Sequence, residues 1–266
     1  MNKLKSKKLF LLDMDGTIYL GDTLFEGVLE FLEYIKQIGG HYMFLTNNSS
    51  KSVDKYLEKL GAMNVPAKNE NFLTSADATA LYLSRNFKGK KIYVFGTNSF
   101  KDQLKKSGFM IVDALGDDID CLVMGFDTEL TFQKLEDACI LLGRGVEYIA
   151  TNPDWVCPTW YGYVPDCGSV AEMLYRATKR RPRFIGKPHP EMALLAIEKS
   201  GFDKSETIII GDRIYTDIAC GINAGITTAL VLSGETTQED VDRDKIKPDY
   251  IFRDIQTLHS HVLERK

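Results

Sequence analysis

Short apolar runs separated by amphipathic stretches set the pattern of this chain. The runs are LFLLDM (9–14), YMFLT (42–46), KIYVFG (91–96), CLVMGF (121–126), VEYIA (146–150), TIIIGD (207–212) and TTALVL (227–232). Each is nearly continuously apolar and rich in Val, Ile or aromatic residues, as strands buried on both faces are. Between them, VLEFLEYIKQIG (28–39), SVDKYLEKLG (52–61), QKLEDACILLG (133–143) and EMALLAIEKSG (191–201) repeat large apolar residues at three and four and end in Gly. That is the helical period with a C-terminal stop. A further strand is expected near NFLTS (71–75), and the charged tail from 236 reads as a last connection, strand and helix. The alternation predicts an α/β fold with mostly parallel strands.

At 266 residues the chain holds one large or two modest domains. With 44% apolar and 26% charged residues it can build a core, and disorder is not expected. A net charge of −4 with both signs interspersed gives no case for nucleic acid or an anionic membrane as partner. The five cysteines (Cys121, Cys139, Cys157, Cys167, Cys220) form no CxxC, which points to free thiols in a reducing compartment rather than zinc or a disulfide framework. Cys157 and Cys167 are likewise read as free thiols. The N-terminal apolar run meets two aspartates too soon for a signal peptide. No run approaches the ~18 apolar residues of a membrane span. The expected location is cytoplasmic.

Open α/β sheets bind ligands at the carboxyl ends of their strands. The first strand runs into Asp13-Met14-Asp15-Gly16-Thr17, and the second ends in Thr46-Asn47-Asn48-Ser49-Ser50. Gly186-Lys187-Pro188 precedes the helix at 191, and Gly211-Asp212-Arg213-Ile214-Tyr215-Thr216-Asp217 closes another strand. Asp13, Asp15 and Asp212 around one point would repel one another unless a divalent cation sat among them. Mg²⁺, with its preference for hard oxygen ligands, suits them. A cation also keeps Asp13 ionised and nucleophilic. With the ammonium of Lys187, this is the charge pattern that phosphoryl transfer requires.

The four islands resemble the motifs of the haloacid dehalogenase superfamily of phosphohydrolases. DMDGT matches its first motif, the Thr46 region its second, Lys187 its third and GDRIYTD its fourth. TNNSS, NPDWVCP, VPDCGS, GKPHPEM and GDRIYTDI are similar to the NagD, or p-nitrophenyl-phosphatase-like, branch (subfamily IIA), over nearly the whole chain. The resemblance implies a Rossmann-like doubly wound parallel-sheet core with an inserted α/β cap. It implies an Mg²⁺-dependent phosphatase acting on a small phosphomonoester, such as a sugar phosphate, nucleoside monophosphate, glycerol phosphate or pyridoxal phosphate. By the same resemblance Asp13 attacks phosphorus to form an aspartyl-phosphate. Asp15 protonates the leaving oxygen and then activates water. Asp13 and Asp212 ligate the metal through side chains, Asp15 through its backbone carbonyl. Gly16, Thr46, Asn47 and Lys187 hold the phosphoryl group, and Asp217 supports Lys187 or a metal-bound water.

The 140 residues between Thr46 and Lys187 exceed any structureless loop and contain about four strand and three or more helix patterns. The cap is therefore expected at 78–183, with the core at 1–77 and 184–266; caps in this branch also mediate homodimers. ATNPDWVCPTWYGYVPDCGS (150–169) reads as an aperiodic recognition loop. Asp166, Gly168 and Ser169 precede a helix at 170 whose N–H groups suit an anionic or polar substrate group. Trp155, Trp160, Tyr161 and Tyr163 read as loop packing rather than a stacking platform. His189 is assigned a structural or rim role, and His41, His259 and His261 carry no partner pattern. GINAG (221–225) lacks the Lys and Ser of a P-loop. Two rival functions are a phosphomutase, disfavoured by the cap position, and a binding module that keeps the fold without the chemistry. Dehalogenation is disfavoured because it does not require the cation site.

Overall fold

Leu9–Leu12 is buried at every residue and has a parallel neighbour on each side, Thr207–Gly211 and His41–Thr46. A strand so placed can carry no polar side chain on either face, which is why it reads LFLL. The computed structural model describes residues 3–50, 52–159 and 161–264. It divides into two units: Met1–Thr46, Tyr56–Leu73 and Lys187–Lys266 form the first, and Asn47–Lys55 with Thr74–Gly186 the second.

The first unit is built on a six-stranded sheet in the order Tyr250–Phe252, Thr227–Val231, Thr207–Gly211, Leu9–Leu12, His41–Thr46, Phe72–Thr74. Ranked along the chain, these are the strands of the doubly wound order 3-2-1-4-5-6 read from the other edge. The order reverses between Leu9–Leu12 and Thr207–Gly211, whose register sets Leu9 opposite Thr207 and Leu12 opposite Ile210. Helix Val28–Gln37 buries Val28, Phe31, Leu32 and Ile35, the i, i+3, i+4, i+7 face, and Phe31 packs edge-on against Phe10 at 5.5 Å. The tail forms helix Gln238–Arg243, strand Tyr250–Phe252 and helix Ile255–Leu263.

The second unit has a five-stranded sheet in the order Arg183–Phe184, Glu147–Ala150, Cys121–Met124, Lys91–Phe95, Met110–Val112, parallel throughout. Phe95, Leu122, Met124, Leu141, Tyr148 and Leu174 belong to its core. Thr74 opens helix Ser75–Asn86 with a capping box to Asp77, and Thr97 and Thr131 cap helices Asn98–Lys106 and Phe132–Gly143. The boundary read at 77/78 falls inside Ser75–Asn86, which lies wholly in this unit.

Two local expectations need correction. Gly61 and Gly143 do not stop their helices: Val53–Ala62 and Phe132–Gly143 include them, and the left-handed conformations fall to Asn64 (φ 58°) and Gly145 (φ 82°). Gly201 (φ 73°) does end its helix as read. The aperiodic segment 150–169 contains an antiparallel hairpin, Val156–Thr159 with Gly162–Pro165. Among the described residues no helix is long and apolar enough to cross a membrane.

Candidate active site

The switch between Leu9–Leu12 and Thr207–Gly211 puts Asp13 and Asp212 side by side, because each comes directly after its strand. The N–H of Asp13 still donates to Ile210 O (2.9 Å), the last rung of the ladder. The chain then coils: Met14 O accepts from Thr17 N (3.2 Å) and Ile18 N (2.9 Å). A Cβ on Gly16 (φ +84°) would stand 2.5 Å from Asp212 Oδ2, and one on Gly234 would stand 2.0 Å from the same atom. Both positions therefore require glycine, and between them they wall in the Asp212 carboxylate. Glu235 N–H donates to Asp212 Oδ2 at 2.7 Å.

Beyond Asp212 the backbone forms a single π-turn, Ile214–Ile218, with Ile218 N–H reaching back to Arg213 O at 3.2 Å. Such a turn inserts one extra residue and re-aims the side chains beyond it. Here the turn returns Asp217, so that its Oδ2 accepts from Arg213 N–H (3.1 Å) and its Cβ lies against Gly211. Lys187 opens the last segment of the unit. Its Nζ donates to Asp13 Oδ1 (2.5 Å), Asp217 Oδ1 (2.7 Å) and Leu45 O (3.0 Å).

One carboxylate oxygen from each of Asp13, Asp212 and Asp217 lies within 4.8 Å of the others. Burial, then the charges of Asp13 and Asp217, pushes the Asp212 carboxyl up to about 8, against the Glu235 amide, which lowers it. Burial also raises Asp217, opposed by Lys187. Burial alone would lower the Lys187 ammonium, but Asp13 and Asp217 outweigh it and hold the group well above its ordinary value. The Arg213 guanidinium also acts on these acids, but it is paired with Glu235 (Nε to Oε2, 2.8 Å), so two cations face four carboxylates and the cluster is short of positive charge. Three hard oxygen donors with uncompensated charge fit a small divalent cation.

Four sequence-derived residues, Asp13, Lys187, Asp212 and Asp217, are brought together. Asp15 is not in the carboxylate group; its side chain is exposed and meets Tyr19 OH (3.2 Å) and Lys59 Nζ (3.9 Å). Thr46 is buried at the end of its strand in the first unit. Asn47 belongs to the second unit, where its side-chain amide donates to Asp154 Oδ1 (3.0 Å) and its carbonyl accepts from Ser75 Oγ (2.6 Å). The N–H of Gly16 is spent on Tyr19 O (2.8 Å), so the part Gly16 plays here is steric.

In the second unit Asp166 is the N-cap of helix Cys167–Thr178, which starts three residues before the expected 170. Its Oδ1 accepts from Cys167 N and Asn152 Nδ2 (3.1 Å), Gly168 N–H donates to Asp154 O (2.8 Å), and Ser169 Oγ donates to Trp155 O (2.5 Å). These three residues frame the hairpin. Trp155, Tyr161 and Tyr163 are exposed, against the packing expectation; Trp160 lies outside the described residues. All five cysteines are free, and burial raises Cys121 and Cys220 to about 12, so neither is an activated thiol. The backbone carbonyl of His189 accepts from Cys220 Sγ (3.3 Å).

Sequence reasoning missed Tyr19, Lys59, Thr17, Gly234 and Glu235. The strand-end rule that found Asp212 would have found Ser233-Gly234-Glu235, which come after TTALVL. Thr17, whose Oγ1 lies 3.5 Å from Asp212 Oδ1, is the last residue of the DMDGT motif. Lys59 offers no signal, since a lysine on an amphipathic helix is ordinary.

Comparison with known proteins bears on the same residues. A family model described as haloacid dehalogenase-like hydrolase matches residues 10–110, and a HAD-hydrolase-like model matches 184–258. An acid sugar phosphatase of Staphylococcus aureus is 36% identical over 252 residues, 95% of this chain and 96% of that protein. The 4-nitrophenylphosphatase of Thermotoga maritima superposes with a TM-score of 0.93 at 41% identity, covering 98% of this chain and 100% of that one. A glycerol phosphate phosphatase of Mycobacterium tuberculosis, solved in complex with magnesium, gives a TM-score of 0.90 at 28% identity, over 97% of this chain and 78% of that one. The chain belongs to the haloacid dehalogenase-like hydrolases, in their NagD and 4-nitrophenylphosphatase branch, and is a phosphoric-monoester hydrolase.

Proposed function

We propose that the chain releases inorganic phosphate from a small phosphorylated metabolite through an aspartyl-phosphate on Asp13. The observation that carries this reading is the unequal exposure of the clustered acids. The Asp13 side chain is 15% exposed and that of Asp217 1%, while Asp212 is buried. Only Asp13 combines membership of the cluster with access for an ester. An Asp13 oxygen attacks phosphorus as the ester P–O bond breaks, and Asp15 gives its proton to the departing oxygen. Asp15, now a carboxylate, takes a proton from water, whose oxygen displaces Asp13 from phosphorus and frees phosphate. Lys187 orients Asp13 through its hydrogen bond to Oδ1, and its charge offsets that of the phosphoryl oxygens. Asp13 and Asp212, with Asp217 adjacent and the Asp15 carbonyl, would hold Mg²⁺, which supplies further charge neutralisation when bound.

Thr46 at the end of its strand supports a phosphoryl-holding role in the same unit. The second unit is the cap that selects the substrate, and its hairpin with exposed Trp155, Tyr161 and Tyr163 is the specificity element. The acid sugar phosphatase and glycerol phosphate phosphatase relatives favour sugar or polyol phosphates as substrates. The test is phosphate release over a panel of sugar, glycerol, nucleoside and pyridoxal phosphates, with Mg²⁺, with EDTA, and with Asp13→Asn. Turnover requires Mg²⁺ and disappears in Asp13→Asn; turnover that survives the substitution refutes the nucleophile.

A further inference from the structure

Asp15 stands apart from the acids of the cluster. Its carboxylate is 48% exposed, and each oxygen has a neighbour that no motif includes. The hydroxyl of Tyr19 donates to Oδ2 at 3.2 Å, and the Lys59 ammonium lies 3.9 Å from Oδ1. The same ammonium sits 3.8 Å from the centroid of the Tyr19 ring. The three side chains therefore form a closed set, in which tyrosine touches both the acid and the lysine.

The set is rigid where it needs to be. The Tyr19 ring is fully buried. Its carbonyl accepts from Gly16 N–H (2.8 Å), and Tyr19 pairs with Leu24 across the hairpin Tyr19–Leu20 with Thr23–Leu24. A phenol carries its proton at neutral pH, so the Tyr19 hydroxyl can donate to Oδ2. Lys59 comes from helix Val53–Ala62, one turn beyond the buried Tyr56. A half-exposed aspartate with no such neighbours would sample several rotamers. A proton donor must instead meet the ester oxygen within hydrogen-bond reach.

We infer that Tyr19 and Lys59 are positioning residues for Asp15, holding its carboxyl in the orientation from which it protonates the leaving oxygen. The inference rests on the acid role of Asp15 proposed above. In that step the bond from Asp13 to phosphorus forms, the ester P–O bond breaks, and the Asp15 proton moves to the ester oxygen, which departs as a neutral alcohol. An alkyl ester depends on that proton, because an alkoxide is a poor leaving group. A 4-nitrophenyl ester does not, because nitrophenolate leaves as a stable anion. Mispositioning Asp15 should therefore penalise the two esters unequally.

The experiment compares kcat/KM for 4-nitrophenyl phosphate and for glycerol phosphate, or whichever alkyl phosphate the protein hydrolyses fastest. The proteins are the parent, Tyr19→Phe and Lys59→Met, each with Mg²⁺. This constant reports only events up to formation of the aspartyl-phosphate, so the later role of Asp15 as base does not enter. In each variant the alkyl-to-aryl ratio is expected to fall by about ten-fold or more, within the ~10²–10⁴ that a general acid supplies. An unchanged ratio overturns the inference, whether both constants drop together or neither moves, because a purely structural role lowers both in step. Circular dichroism checks folding; should Tyr19→Phe fail to fold, Lys59→Met, at a partly exposed position, decides the matter alone. A parent protein that hydrolyses neither ester, or full turnover by Asp13→Asn, defeats the underlying reading instead and is a separate result.

Discussion

Replacing Lys187 by Met removes the ammonium that the carboxylate cluster is built around. An ammonium has three donors, and Lys187 uses all of them, on Asp13, Asp217 and Leu45 O at 2.5, 2.7 and 3.0 Å. Met keeps the length and most of the volume of the side chain, so the change is in charge and hydrogen bonding rather than packing. Lys187 and Asp217 are both buried, and neither has water to replace a lost partner. Removing one partner of a buried pair costs about 3–5 kcal/mol, mostly the penalty of the charge left behind. At roughly 2–4 °C per kcal/mol for a domain of this size, the unfolding midpoint in EDTA at neutral pH should drop by about 6–20 °C. The assay is thermal unfolding monitored by circular dichroism. Mg²⁺ should stabilise the variant more than the parent, because the cation then carries charge compensation that Lys187 otherwise shares. A midpoint within about 2 °C of the parent in EDTA, at most about 0.5–1 kcal/mol by the same scaling, would refute the claim that Lys187 balances the cluster.

The same geometry sets two further outcomes. Asp212 has its pKa raised to about 8 from 3.8, so its contribution to stability is complete below about pH 4 and is lost as pH rises through 8. In EDTA the parent should therefore lose stability progressively between those limits, as the buried carboxyl is forced to ionise beside Asp13 and Asp217. Mg²⁺ should flatten the profile and Asp212→Asn should abolish that part of the slope; a urea midpoint that instead rises over this range in the parent relative to Asp212→Asn contradicts the assignment. Gly211→Ala places a methyl 2.3 Å from Cβ and Cγ of Asp217, which Lys187 and Arg213 N–H hold in place. It should cost about 1–3 kcal/mol by overpacking and lower kcat, and an unaltered urea midpoint and kcat would show that the π-turn yields freely.

Part of the site was readable because its logic is local. A strand buried on both faces must be continuously apolar, so LFLL, IIIG and TALV announce themselves, and the polar residues after them mark the strand ends. The four motif islands then point to Asp13, Lys187, Asp212 and Asp217 without any coordinates. Where each strand stops was less legible: 9–14 shortens to Leu9–Leu12 because the turn after Asp13 is closed by Met14 O, a choice made by hydrogen bonds rather than by hydropathy. The hairpin Val156–Thr159 with Gly162–Pro165 escaped notice because Tyr161 and Tyr163 are exposed on a two-stranded ribbon. Among its described residues none is fully buried, so there is no alternation of buried and exposed side chains to detect.

By itself the sequence determined the fold class, the residue types of the candidate site and the strand ends that carry them, because those depend on burial and on short-range spacing. Only the tertiary structure decided how the acids divide. It gathered Asp217, not the Asp15 carboxylate, with Asp13 and Asp212, through a π-turn that no residue preference encodes. It gave Asp15 to Tyr19 and to Lys59, 44 residues away. It gave the Asn47 amide to Asp154, 107 residues on. Such pairings depend on which strand lies beside which, and on close approaches allowed by glycines at 16, 211 and 234. Those are properties of the folded chain as a whole, and they leave no trace in a window of neighbouring residues.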